Sequence, residues 1–347
     1  MTLPPLRDVL AASHVVALPM RLRFRRTDVR EVVLLRGPAG WGEFAPFPEY
    51  EDDEAAFWLA SALESAWRGW PQPVRDSVPV NATVPAVPAG RVTAVLEAFP
   101  GCRTAKVKVA EPGQAFQDDV ARVAEVRSAL GAGGRVRVDA NGSWDVDDAV
   151  RAIAALARYD LEYVEQPCLR VEDLAAVRRR LAAAGADVRI AADESIRRAS
   201  DPFRVAAAGA ADVAVVKVAP LGGVRRTLAI SDVLARDHGL PVVISSALDS
   251  AVGIAAGLAA AAALPSLPFA CGLATGALLA QDVCPVPVRP VDGCLRPGPV
   301  APDPGRLAAL APSAECVRWW RERLSRCHGV LGASTAPTPE PAAGSPV

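Results

Sequence analysis

From Val78 onward the chain alternates short apolar runs with longer stretches of helical period. The runs Val78–Val84, Thr104–Val109, Arg135–Asp139, Leu161–Glu165, Val188–Asp193, Val213–Val218, Pro241–Ser246 and Phe269–Gly272 predict strands. They are short, apolar and rich in Val, as buried strands are. Between them the spacing predicts helices over Ala115–Leu130, Asp145–Ala157, Val171–Ala184, Asp201–Ala208, Val224–Asp237 and Ala251–Ala263. Eight strands recurring every roughly 25 to 30 residues predict a (β/α)8 (TIM-type) barrel over 78–282. An open doubly wound sheet fits the same alternation. It loses ground because no Gly-rich phosphate loop follows any strand; Gly131-Ala132-Gly133-Gly134 precedes one.

Residues 1–77 follow another pattern. Val15–Leu18, Leu22–Arg25 and Val29–Arg36 predict an antiparallel meander, and Gly37-Pro38-Ala39-Gly40 a turn. A Pro- and aromatic-rich loop, Trp41–Tyr50, precedes a helix over Glu54–Trp67. This is a small α+β unit. After Val283 the chain is irregular, with a short helix over Glu315–Arg326. Gly329–Val347 carries little that could enter a core and predicts a disordered tail.

Composition narrows the picture. In 347 residues, 51% are hydrophobic, ample for a large core. A net charge of −1 excludes a general nucleic-acid surface. Met1–Leu10 contains Pro4, Pro5 and Asp8, so it does not read as a secretory leader. Ala255–Leu264 is too short and too weakly apolar to span a bilayer and reads as a buried helix. Seven cysteines with no C-x-x-C pair predict free thiols in a cytoplasmic protein. Monomer and homo-oligomer both stay open.

Lysine usage changes the picture most. Of 38 basic residues only Lys106, Lys108 and Lys217 are Lys; the other 35 are Arg. Arg cannot release a proton near neutral pH, whereas Lys can. Lys106 and Lys108 lie two apart on one predicted strand and so share a face. Lys217 ends another strand.

Carboxylates end the strands between them. The motifs are Val-Asp139-Ala-Asn141-Gly142, Val-Glu165-Gln166-Pro167 and Ala-Asp193-Glu194-Ser195, one per βα unit. Successive parallel strands thus deliver Asp139, Glu165 and Asp193 to the C-terminal rim, where barrel active sites lie. Any one of them could be a helix cap. Three in register repel unless a cation joins them, and an all-oxygen set suits Mg²⁺. His14, His238 and His328 end no strand, which argues against zinc. Around the rim the order is lysines, acid, acid, acid, lysine. That arrangement suits proton abstraction next to a small-molecule carboxylate. The lysine proton affinity is lowered by a dication and a second ammonium.

These motifs, with Lys217 followed by Leu221-Gly222-Gly223, resemble the enolase superfamily. The K-x-K pair resembles its muconate-lactonizing subgroup. The loop Gly42-Glu43-Phe44-Ala45-Pro46-Phe47-Pro48 resembles that of the o-succinylbenzoate synthase family. The resemblance implies that 1–77, completed by part of 283–328, caps the barrel. It implies a Mg²⁺-dependent carbon–oxygen lyase (dehydratase) of menaquinone biosynthesis. That enzyme performs a syn dehydration of 2-succinyl-6-hydroxy-2,4-cyclohexadiene-1-carboxylate to 2-succinylbenzoate. Lys108 would be the acid/base and Lys217 the opposite-face lysine. Lys106 would tune Lys108, and Asp139, Glu165 and Asp193 would hold the metal. Asn141, Ser245 and Ser246 would face the substrate, with an ordinary helix cap as the competing role for the serines. The same scaffold also serves N-succinylamino acid racemases and dipeptide epimerases, and the catalytic residues alone do not separate these. A non-catalytic barrel would have lost a ligand or a lysine, and none is lost.

Overall fold

The computed structural model describes residues 2–24, 27–197 and 201–335. Twelve strands are described: β1 Ser13–Phe24, β2 Thr27–Gly37, β3 Gly40–Phe44, β4 Val78–Pro79, β5 Ala82–Val84, β6 Thr104–Lys108, β7 Arg135–Asp139, β8 Leu161–Glu165, β9 Ile190–Ala192, β10 Val213–Lys217, β11 Val242–Ser245 and β12 Cys294–Leu295. The α-helices are α1 Leu6–Ala11, α2 Asp52–Leu63, α3 Val92–Leu96, α4 Phe116–Leu130, α5 Val146–Leu156, α6 Val171–Ala183, α7 Asp201–Ala207, α8 Val218–Leu221, α9 Val224–His238, α10 Ala251–Ala263, α11 Pro304–Ala309 and α12 Ala314–Thr335.

The barrel is a curled sheet in the order β11-β10-β9-β8-β7-β6-β5, with every pairing parallel. The expected eighth strand, Phe269–Gly272, is reduced to two single bridges, Ser245 to Gly272 and Val80 to Cys271. Gly272 N–H donates to the Ile244 carbonyl at 2.9 Å, and Cys271 N–H to that of Pro79 at 2.7 Å. These bridges join the two sheet edges and complete the ring. Gly272 is required there: a Cβ would lie 2.5 Å from the Ser245 hydroxyl. The expected strand Val78–Val84 is split in two, because β4 turns aside to pair antiparallel with β12.

Helices cover the outside and bury Val, Leu and Ala between layers. Tyr163, Ala191, Val213, Val215 and Val243 fill the inside. The α10 helix is apolar on all sides and almost wholly buried, as read from its sequence. No described helix is long and apolar enough to cross a membrane. All seven cysteines are free thiols.

In the N-terminal unit the meander is β1-β2-β3. The runs Val15–Leu18 and Leu22–Arg25 are parts of one long strand whose register shifts after Pro19; Arg25 itself lies outside the described residues. The third strand, Gly40–Phe44, begins inside the segment read as loop. Its Gly42 lets α2 approach, since a Cβ there would sit 2.0 Å from the Ala62 carbonyl oxygen. The expected helix over Glu54–Trp67 starts at Asp52 and ends in a wider π turn, Glu64–Arg68.

The α12 helix packs on α2, with Arg326 on Asp52 at 2.6 Å and the Trp320 indole N–H on Glu31 at 2.7 Å. It runs past Arg326 to Thr335, so 329–335 of the segment read as a disordered tail are helical. His328 bonds the Pro4 carbonyl at 2.8 Å, a long-range anchor that no local pattern reports. Residues 336–347 lie outside the described residues.

Candidate active site

Register explains why the predicted groups meet. Lys108 pairs with Asp139, Asp139 with Glu165, and Glu165 with Ala191. In-register residues of parallel neighbours point to the same side, so one lysine and two acids face inward together. Asp193 lies two residues beyond Ala191, past the end of β9. On the far side Lys217 pairs with Ser245.

The amines and acids are in direct contact. Lys108 Nζ lies 2.5 Å from Asp139 Oδ2 and donates to Asn141 Oδ1 at 2.7 Å. Lys106 Nζ lies 3.0 Å from the same Asp139 oxygen and also pairs with Glu165. Lys217 pairs with Asp193. All six groups are buried. Burial works against the Lys106 charge, but Asp139 and Glu165 outweigh it and hold this amine above the ordinary lysine value. Burial pushes the Glu165 carboxyl up to about 7; Asp139 adds to that and Lys106 opposes it.

Asp139, Glu165 and Asp193 are the residues that could hold a hard cation. Among the described residues no three carboxylates close tightly round one point, because ammonium groups lie against them. The donor set still fits. It is all oxygen, and Glu165 Oε2 is buried with no hydrogen-bond partner, an acceptor in need of a positive neighbour.

Supporting groups fix these positions. Asn141 adopts φ 48°, and its N–H donates to Asp139 Oδ1 at 3.0 Å. Its side chain, expected to face substrate, spans Lys108 and Glu194, donating to Glu194 at 3.0 Å. Gln166 accepts from the N–H groups of Asp193 at 2.8 Å and Ser195 at 3.2 Å, which sets the turn that aims Asp193.

Ser245 and Ser246 line a cavity with Thr83, the lysines, Leu248 and Thr275. The Ser246 and Thr275 hydroxyls are 2.5 Å apart. Neither serine is a helix cap; Ser250 caps α10.

Some site residues escaped the sequence reading. Thr83, Leu248 and Thr275 line the cavity without belonging to any recognisable motif. Arg197 contacts Glu194 at 2.5 Å and reaches the cap through the Tyr50 hydroxyl at 3.1 Å. Buried Arg137 lies inside the barrel, 4.6 Å from the Tyr163 ring centre. In a chain whose basic residues are nearly all Arg, only tertiary contacts mark these two.

Comparison with known proteins agrees with this geometry. Residues 91–306 match the family described as enolase C-terminal domain-like, and residues 15–66 the enolase N-terminal domain-like family. The chain is 60% identical to the o-succinylbenzoate synthase of Mycolicibacterium smegmatis, over 94% of this chain and 98% of that protein. It is 57% identical to that of Mycobacterium marinum, over 95% and 96%. Its fold matches the muconate lactonizing enzyme of Pseudomonas fluorescens complexed with muconolactone, with TM-score 0.74 and 24% identity over 86% of this chain and 98% of that one. The enzyme from Pseudomonas putida matches with TM-score 0.72 and 23% identity over the same shares. The chain therefore belongs to the enolase superfamily and, within it, to the o-succinylbenzoate synthase family.

Proposed function

We propose that this chain catalyses the syn dehydration of 2-succinyl-6-hydroxy-2,4-cyclohexadiene-1-carboxylate to 2-succinylbenzoate. The observation that carries this reading is near-full-length identity of 60% to a protein named for that product. The complete set of three lysines and three strand-end acids supports it. The reaction removes a proton from the carbon bearing the carboxylate and hydroxide from its neighbour, leaving an aromatic ring and water.

Asp139, Glu165 and Asp193 would hold Mg²⁺. When bound, that ion supplies fixed positive charge to the substrate carboxylate as its α-carbon loses a proton. Lys108 takes the proton and returns it to the departing hydroxyl, which a syn geometry allows from one face. Asn141 and Asp139 hold the Lys108 amine in place. Lys106, cationic between Asp139 and Glu165, disfavours a second charge on Lys108 and attracts the substrate carboxylate. Lys217, on the opposite flank, stabilises the developing negative charge. Ser245 and Ser246 bind the succinyl end.

A place in menaquinone biosynthesis and a cytoplasmic location follow from this reading. An N-succinylamino acid racemase or dipeptide epimerase would use Lys108 and Lys217 as paired bases on opposite faces; the names of the relatives favour dehydration. The test runs both assays on the purified chain with Mg²⁺. Aromatic product at a kcat/KM well above that for racemisation supports the proposal, and the reverse ranking rejects it.

A further inference from the structure

We propose that Arg30 of the cap is a positioning residue that sets the substrate-facing wall formed by Ala247 and Leu248. The proposal deepens the dehydratase reading and rests on it.

Arg30 lies on β2 and is 3% exposed. No carboxylate pairs with it among the described residues. Its Nε donates to the Leu248 carbonyl at 3.3 Å, and its Nη2 to those of Ala247, at 3.4 Å, and Ala45. Its guanidinium carbon lies 4.2 Å from the centre of the Phe47 ring. One buried cation thus ties the cap loop, at Ala45 and Phe47, to the barrel loop that follows β11.

The barrel loop is held at its other end by the cap as well. Glu43 accepts from Ser250 N–H at 3.0 Å, from Gly253 N–H at 3.3 Å and from the Ser250 hydroxyl. Between the two clamps Leu248 adopts φ 60°, a left-handed conformation that non-glycine residues keep only where the surroundings impose it. The Asp249 carboxylate turns back to Ala247 N–H at 3.1 Å. Ser246, Ala247 and Leu248 line the same cavity as Lys108 and Lys217.

A guanidinium bonded only to carbonyls and one ring is poorly compensated for its burial. An apolar side chain of similar length would fill the space at lower cost. It could not hold two successive carbonyls of a strained loop against the cap. Arg30 therefore acts through Leu248, and its effect belongs in substrate binding.

The test compares Arg30→Met and Arg30→Lys with the wild type in Mg²⁺. The readouts are kcat and KM for dehydration, affinity for 2-succinylbenzoate by calorimetry, and amide exchange over residues 247–250. Arg30→Met is expected to raise KM and weaken product affinity by about tenfold, with kcat within about threefold. Exchange at Leu248–Ser250 should quicken, and Arg30→Lys should recover part of each loss. Wild-type KM and exchange in Arg30→Met overturn the proposal. So does a fall in kcat and thermal stability at unchanged KM. If Arg30→Met fails to fold, Arg30→Lys decides alone: raised KM at an unchanged melting temperature supports, and wild-type KM overturns. A wild-type chain without dehydration activity sinks the dehydratase reading, whereas the exchange comparison still tests the clamp.

Discussion

The ammonium groups of Lys106 and Lys108 meet on a single oxygen, Oδ2 of Asp139, at 3.0 and 2.5 Å. Two cations on one oxygen raise the cost of charging either. Lys106 also has Glu165 and stays protonated. Lys108 is the amine that the proposed mechanism uses as the base. Lys106→Met removes the neighbouring charge, so the acid limb of the kcat/KM profile should move to higher pH by about one unit. An unmoved limb would mean that Lys106 does not tune its neighbour.

Lys108→Ala should lower turnover by at least about 10³-fold. Asp139 keeps Lys106 as a partner, so the chain should still fold. Breaking one buried ion pair costs about 3–5 kcal/mol, which should show as a lower melting temperature. Circular dichroism separates the two effects.

Chelation should abolish activity, and Mg²⁺ should restore it. Glu165→Gln replaces the acid whose second oxygen is unpartnered. Its Mg²⁺ affinity, measured by calorimetry, should fall by at least about 100-fold. An unchanged affinity would remove Glu165 from the ligand set.

Stability should fall as pH rises through neutrality. Burial pushes the Glu43 carboxyl from 4.5 up to about 8; Asp249 adds to the shift, while the Ser250 hydroxyl and Arg30 oppose it. Between those values the folded chain keeps a proton that the unfolded chain has released. Its contribution is therefore favourable below the lower value and is lost as pH climbs to the upper one. The slope is at most about 1.4 kcal/mol per pH unit. Urea titrations from pH 5 to 8 should show the decline, and Glu43→Gln should make it shallower, leaving the part that the raised Glu165 carboxyl contributes.

The barrel and its rim were legible because a βα unit repeats. The strands of successive repeats end on one rim, so Asp139, Glu165 and Lys217 could be placed at strand ends from spacing alone, while Asp193, read as a strand end, lies just past β9. The i, i+2 relation was enough for Lys106 and Lys108. What escaped depends on distant parts of the chain. The Arg30 bond to Leu248 spans 218 residues, and Arg197 reaches Tyr50 across 147. No local pattern distinguishes these arginines from those on the surface. The eighth strand was overestimated: Phe269–Gly272 keeps only single bridges, from Gly272 to Ser245 and from Cys271 to Val80. The last helix was underestimated because its extension beyond Arg326 is held by the N-terminal segment.

The most direct test of the account is a side-by-side assay of the wild type and the Lys108→Ala and Lys217→Ala variants in Mg²⁺. It would follow formation of the aromatic product and racemisation of an N-succinylamino acid. The account predicts efficient dehydration by the wild type, none by Lys108→Ala, and a reduced but measurable rate for Lys217→Ala, since one face suffices for proton transfer. Appreciable dehydration by folded Lys108→Ala would contradict it.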